Sequence, residues 1–199
     1  MKEQELKYAI PSLADYELLC CKLSGFQNEI IQTNIYYDTE NAALLQQHIM
    51  VRLRLFNDCA QLTIKYNPQH HNGYFQAEQW EVDVEREEAE VFEHSGAFSP
   101  ERLGSMPKEI QTFVQPTLIE VGRTVNKRRI YHVGDLVLEL DFLTINDQIT
   151  DYELEIETEC PDAAKQYVAK ICENHHIALK NQPHTKYERL LLHSAKKHL

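Results

Sequence analysis

Apolar and polar residues alternate with period two over several short runs, and the polar positions are mostly charged. Between positions 49 and 56 the odd residues Ile49, Val51, Leu53 and Leu55 are apolar, while the even ones include Arg52 and Arg54. Such alternation predicts a strand with one buried face. Asn57-Asp58 is a turn signal, and positions 61–65 return as a second strand with Leu62 and Ile64 opposed to Gln61, Thr63 and Lys65. Glu3, Glu5 and Lys7 share a face of an N-terminal strand, and Gln79, Glu81 and Asp83 oppose Trp80, Val82 and Val84. Glu139 and Asp141 oppose Leu138, Leu140 and Phe142, and Glu153 and Glu155 oppose Leu154 and Ile156. Within positions 123–131, Arg123, Lys127 and Arg129 have one parity and Arg128 the other, which assigns Arg128 to the surface.

Helical spacing separates these runs. Ser12 with Asp15 reads as a capping box opening a helix through about Lys22, and Pro161-Asp162 opens another through Val168 and Ile171. Shorter helices are expected at 87–94 and 108–114, with connections at 67–73 and 95–107. With no repeat, low-complexity tract or linker, the 199 residues read as one domain spanning 1–199.

The charges keep to one sign within each run: acidic pairs at 3/5, 81/83, 139/141 and 153/155, basic pairs at 52/54 and 127/129. An exposed sheet favours mixed signs, because like charges side by side repel. Same-sign faces on many strands can instead converge in the polar lumen of a closed antiparallel barrel. Paired carboxylates suit Mg²⁺ or Mn²⁺, and clustered Arg and Lys suit phosphate oxygens. Together they call for a metal-bound polyphosphate.

Composition narrows the partners. Asp plus Glu number 31 against 20 Lys plus Arg, a net charge of −11, which argues against nonspecific nucleic-acid or anionic-membrane binding. No run approaches the ~20 apolar residues of a membrane span, and carboxylates stand where a signal peptide would be apolar, so a cytoplasmic protein is expected. The five cysteines lack metal-site spacing and read as reduced thiols. His70-His71 and His175-His176 form no metal motif.

These motifs resemble the CYTH superfamily, the triphosphate tunnel metalloenzymes. The resemblance rests on Glu3-Gln4-Glu5-Leu6-Lys7, Tyr36-Tyr37-Asp38-Thr39, Val51-Arg52-Leu53-Arg54-Leu55, Leu62-Thr63-Ile64-Lys65 and Lys127-Arg128-Arg129. It continues through Leu138-Glu139-Leu140-Asp141, Tyr152-Glu153-Leu154-Glu155 and the run Thr185 to Leu191. The chain is most similar to small Gram-positive proteins labelled as adenylate cyclases. The resemblance implies a mainly β (α+β) fold: a closed eight-stranded antiparallel β-barrel with flanking helices and a triphosphate in its lumen. It implies metal at Glu3, Glu5, Glu153 and Glu155, with Glu81, Asp83, Glu139 and Asp141 as further metal or metal-water ligands. Phosphate is expected at Lys7, Arg52, Arg54, Lys65, Arg123, Lys127, Arg129 and Lys186, and catalysis at Glu3, Glu5, Lys7, Arg52, Arg54 and Lys65.

The activity expected is Mg²⁺- or Mn²⁺-dependent triphosphate hydrolysis, with inorganic tripolyphosphate favoured because the charged positions account for phosphate and metal but for no base. Adenylate cyclase, thiamine triphosphatase, with Trp80 or the Tyr36-Tyr37 pair stacking on a ring, and a noncatalytic polyphosphate- or nucleotide-binding module are the alternatives. The expected partner is a small-molecule triphosphate, with no nucleic acid and no membrane; a homodimer is compatible with the chain.

Overall fold

The structure is a computed structural model that describes residues 2–71, 73–98, 111 and 117–195. Eight strands form the wall: β1 (Lys2–Ala9), β2 (Phe26–Asp38), β3 (Met50–Phe56), β4 (Cys59–His71), β5 (Tyr74–Val84), β7 (Leu118–Val133), β8 (Leu136–Ile145) and β9 (Ile149–Glu157). They pair antiparallel in the order β1-β5-β4-β3-β2-β7-β8-β9. The barrel closes because β1 serves two neighbours: Lys2 to Leu6 pair with β5, while Glu5 to Ala9 pair with β9. Two short strands add to this wall, β6 (Ala97–Phe98) beside β7 and β10 (Lys180–Asn181) beside β1. The fold is the closed eight-stranded barrel expected.

Most of the apolar strand residues point outward, under helices, while Phe75 and Ala77 of β5 face the lumen. Helix α1 (Leu13–Lys22) begins where Ser12 Oγ accepts from the Asp15 amide (3.2 Å), the capping expected there. It buries Tyr16 and Leu19 against Leu138, Leu140 and Leu154, and α4 (Pro161–His175) adds Ala164, Val168 and Ile171 to the same cluster. Helix α3 (Arg86–Ser95) covers Val51, Leu53, Leu62 and Ile64 with Ala89 and Phe92; each fully buried side chain of this size is worth about 1.5–3 kcal/mol. The turn-like α2 (Ala43–Gln46) and α5 (Lys186–Ala195) complete the set. Among the described residues no helix is long and apolar enough to cross a membrane.

One sequence expectation changes. The connection expected at 67–73 is largely strand, because β4 runs on to His71. Its register skips Asn67 and Pro68 between Tyr66 and Gln69, so the residue without an N–H falls in a bulge and costs no ladder bond. The long strand β2 escaped notice because Phe26 to Glu29 are exposed and carry no alternation. The helix expected at 108–114 lies outside the described residues apart from Gln111.

Candidate active site in the barrel lumen

The inward parity of the strands encloses a cavity of about 380 Å³. Strand β1 supplies Glu3, Glu5 and Lys7, β3 Arg52 and Arg54, β4 Lys65, β7 Arg128, β8 Glu139, and β9 Glu155 and Glu157; Lys186 enters from α5. A Thr185–Glu188 capping box sets the start of α5: the Glu188 amide donates to Thr185 Oγ1 (3.1 Å) and the Thr185 amide to Glu188 Oε2 (2.7 Å). Lys186 is therefore the first residue of a fixed helix.

Six carboxylates form two groups, each with oxygens within 4.8 Å of one another: Asp141, Glu153 and Glu155, and Glu3, Glu5 and Glu157. The first group is saturated with cations. Lys186 Nζ lies 3.0 Å from Asp141 and 2.7 Å from both Glu153 and Glu155. Arg128 donates to both Asp141 oxygens (2.8 and 2.7 Å) and to Glu155 (2.5 Å), and also pairs with Glu139. Arg189 binds Glu153 through two nitrogens (3.1 and 3.0 Å) and lies 2.9 Å from Asp151. Burial alone would raise these carboxyl pKa values, but Lys186, Lys7 and Arg128 outweigh it at Glu155 and hold that carboxyl well below its usual value. Asp141 and Glu153 are lowered in the same way.

The second group is short of positive charge. Lys7 lies 2.7 Å from Glu5, Lys65 pairs with Glu3, and Glu3 Oε2 is buried without a hydrogen-bond partner. Burial, then the charge of Glu155, pushes Glu5 up to about 8. Burial, then Glu139 and Glu3, raises Glu157 to about 7. Against burial, Lys65 and Lys7 hold Glu3 below its usual value, so it is Glu5 and Glu157 that keep protons for want of a counter-charge. Three such carboxylates together suit a hard divalent cation, and the residues present fit one here.

A third feature is a pair of arginines without carboxylate partners. Arg52 Nη2 donates to Thr63 Oγ1 (3.1 Å), which itself donates to Glu81 (3.2 Å); Arg54 Nε donates to Asn34 Oδ1 (2.9 Å). Among the described residues neither arginine forms an ion pair, and Arg52 Nε is buried without a partner. Burial, then Arg52 and Arg128, pulls Arg54 down to about 9, the electrostatic signature of an anion-seeking site.

Most of the residues expected in the site do line the cavity, with six exceptions, of which Asp141 and Glu153 are fully buried behind the lining against Lys186, Arg128 and Arg189. Arg123, Lys127 and Arg129 face outward: Arg123 pairs with Glu120 (2.8 Å), and Lys127 and Arg129 share Glu29 (3.2 and 2.9 Å). The expected parity of β7 is reversed, because Tyr131 shares the parity of Lys127 and Arg129 and is buried under α1. Arg128, expected at the surface, is the lumen residue. Asp83 is exposed and outside the cavity lining, while Glu81 stands exposed at its margin and Gln79, not Glu78, shares its inward parity opposite Lys65. Trp80 and Tyr37 pack on the outer cluster, away from the lumen, while Tyr36 lines the cavity with one ring face stacked on Tyr187 (5.3 Å). Sequence reasoning missed Glu157 and Arg189. The period-two extension of Glu153 and Glu155 marks the former, and the Thr-x-x-Glu start of α5 brings in the latter.

The solved structures that this chain resembles share the fold. HpAC1 from Hippeastrum, described as having a dominant triphosphatase activity, superposes with a TM-score of 0.83 at 22% identity over 94% of both chains. A Bacillus halodurans protein with an adenylate cyclase designation gives 0.72 at 21% identity, covering 94% of this chain and 97% of its own. PH1819 from Pyrococcus horikoshii gives 0.61 at 16% identity, covering 94% and 98%. No curated protein matches the sequence. The CYTH domain model matches residues 1–189, and with the barrel and its charged lumen in place the chain belongs to the CYTH family.

Proposed function

We propose that the protein hydrolyses a triphosphate in a reaction dependent on Mg²⁺ or Mn²⁺, with inorganic tripolyphosphate the preferred substrate. The observation that carries this reading is the division of one 380 Å³ cavity: two arginines without anions face a carboxylate group without enough cations. Arg52 and Arg54 would hold phosphate oxygens, with Arg able to contact two at once. Lys65, Lys7, Arg128 and Lys186 would spread positive charge along the chain of phosphates. Glu3, Glu5 and Glu157 would hold the divalent cation, which supplies charge neutralisation and activation of water when bound. Positioning and charge stabilisation then account for most of the catalysis, and no side-chain nucleophile is required. Asp141 and Glu153, whose oxygens are already taken by Lys186, Arg128 and Arg189, would instead keep those cations in place. The Hippeastrum protein's triphosphatase activity is the same chemistry.

A panel of tripolyphosphate, ATP, GTP and thiamine triphosphate with Mg²⁺ or Mn²⁺, read for orthophosphate, pyrophosphate and cyclic nucleotide, tests the reading. Orthophosphate release from tripolyphosphate should exceed turnover of any nucleotide. Stoichiometric cyclic AMP and pyrophosphate from ATP would make the protein a cyclase, and tight binding without turnover would make it a binding module.

A further inference from the structure

The motif Tyr36-Tyr37-Asp38-Thr39 ends β2, and the charge complement of the lumen does not explain it. Asp38 is 1% exposed and forms no ion pair among the described residues. Its carboxylate instead collects five donors. Oδ1 accepts from the Thr39 amide (2.6 Å), Thr39 Oγ1 (3.2 Å) and the Leu44 amide (3.0 Å). Oδ2 accepts from the Leu45 amide (3.1 Å) and from the Tyr187 hydroxyl (3.1 Å). A buried carboxylate this well supplied with donors costs little, and it fixes everything that donates to it.

The donors come from two segments that both line the cavity. One is the turn from Thr39 into α2, where Ala42 adopts a left-handed backbone (φ 55°) and the Ala43 amide donates to Thr39 Oγ1 (2.8 Å); Leu45 and His48 just beyond it face the lumen. The other is α5, where Tyr187 stacks on Tyr36 with the rings 20° from parallel. Burial, then Asp38, raises the Tyr187 pKa, so the hydroxyl remains a donor. Tyr187 directly follows Lys186, whose ammonium stands among Asp141, Glu153 and Glu155.

We propose that Asp38 is a positioning residue: it clasps the α2 turn and Tyr187 together and thereby sets where Lys186 stands in the lumen. The inference rests on the reading that Lys186 meets the phosphates of the substrate. Asp38 itself touches neither phosphate nor metal; it acts through the helix start.

Tyr187→Phe tests this with the least damage, since it keeps the stack on Tyr36 and removes one hydroxyl. Its KM for tripolyphosphate should rise about fivefold or more with kcat changed less than about twofold, the pattern of weakened uniform binding. In a Lys186→Ala background the same substitution should change KM by less than about twofold, because the residue it acts through is gone. An equal rise in both backgrounds, or none in the first, overturns the proposal. Amide exchange at Leu44 and Leu45, which the substitution does not touch directly, should quicken in Tyr187→Phe and more so in Asp38→Asn. If the unaltered protein neither binds nor cleaves tripolyphosphate, the functional reading has failed, and exchange alone decides the clasp: faster exchange supports it and unchanged exchange overturns it.

Discussion

Arg128 and Asp141 stand opposite each other on β7 and β8 and are joined by two parallel hydrogen bonds, from Nε at 2.8 Å and Nη2 at 2.7 Å. The same guanidinium also serves Glu139 and Glu155, so its one positive charge is shared among three carboxylates, with Lys186 and Lys7 supplying the rest. Arg128→Ala would remove the ion-pair partner of Glu139 and leave Asp141 and Glu155 to Lys186 and Lys7, and breaking a buried pair of this kind costs about 3–5 kcal/mol. At roughly 2–4 °C per kcal/mol for a chain of this size, the melting midpoint should fall by about 6–20 °C. Lys127→Ala, on the outer face, should cost less than about 0.5 kcal/mol and leave triphosphate turnover within twofold. Thermal unfolding and a phosphate-release assay of the two variants check both statements; equal behaviour would refute the inward assignment of Arg128.

The arginines and the carboxylates should fail in different ways. Arg52→Ala and Arg54→Ala each remove a charge-assisted contact worth about 1.5–3 kcal/mol, so kcat/KM should drop about ten- to a hundredfold at every metal concentration. Glu3→Gln and Glu5→Gln keep the side-chain volume but weaken cation binding, so raised Mg²⁺ should restore part of their turnover. A Mg²⁺ titration of all four variants separates the two classes.

Stability of the metal-free protein should decline as pH rises from mildly acid to alkaline. Glu5 and Glu157 have folded pKa values of about 8 and about 7 against an ordinary 4.5, so the folded state holds protons that the unfolded chain has released. The cost is absent below about pH 4.5 and complete above about pH 8. Asp141, Glu153 and Glu155 are lowered and act in the opposite sense: their contribution is present above their ordinary values and lost as pH falls below them. Melts from pH 4 to 9 in a chelator should therefore peak in mild acid, and Mg²⁺ or Glu5→Gln should flatten the alkaline limb. A midpoint climbing steadily from pH 5 to 8 without metal would show that Glu5 is not confined.

Ligand should stabilise the fold as well as be cleaved. A species binding only the folded state adds about 2.7 kcal/mol at a hundredfold its dissociation constant. A nonhydrolysable tripolyphosphate analogue with Mg²⁺ should thus raise the midpoint by about 5–10 °C, and orthophosphate at equal ionic strength by much less. The Arg52→Ala, Arg54→Ala double variant should lose most of the increase.

The barrel was readable because its charges repeat with period two and keep one sign per strand, as at Arg52/Arg54 and Glu153/Glu155. Strand β7 shows where that reading breaks. Two of its three clustered bases share a parity, and counting bases selects the wrong face. The apolar residues Tyr131 and Val133 mark the outer face instead, since both pack in the cluster under α1 and α4. What α5 contributes was harder to see, since Lys186 and Arg189 reach the lumen by helix geometry and not by alternation. The clasp at Asp38 takes four donors from the next seven residues but its fifth, Tyr187, from 149 residues away in sequence, a distance over which no local pattern carries information.

Barrel closure also sets the order in which the site can come into being. Glu5 pairs with Glu157, and Lys7 with Glu155, so β1 gains its second neighbour only from a strand some 150 residues further along. Contacts of such sequence separation are slow to form, because a long loop must be closed before they return any free energy. During synthesis β1 emerges before β9 and exposes an unpaired edge until that strand is available. Glu5 and Glu157 are therefore brought together only when this pairing forms, and a divalent cation present at that moment would screen the repulsion that closure creates.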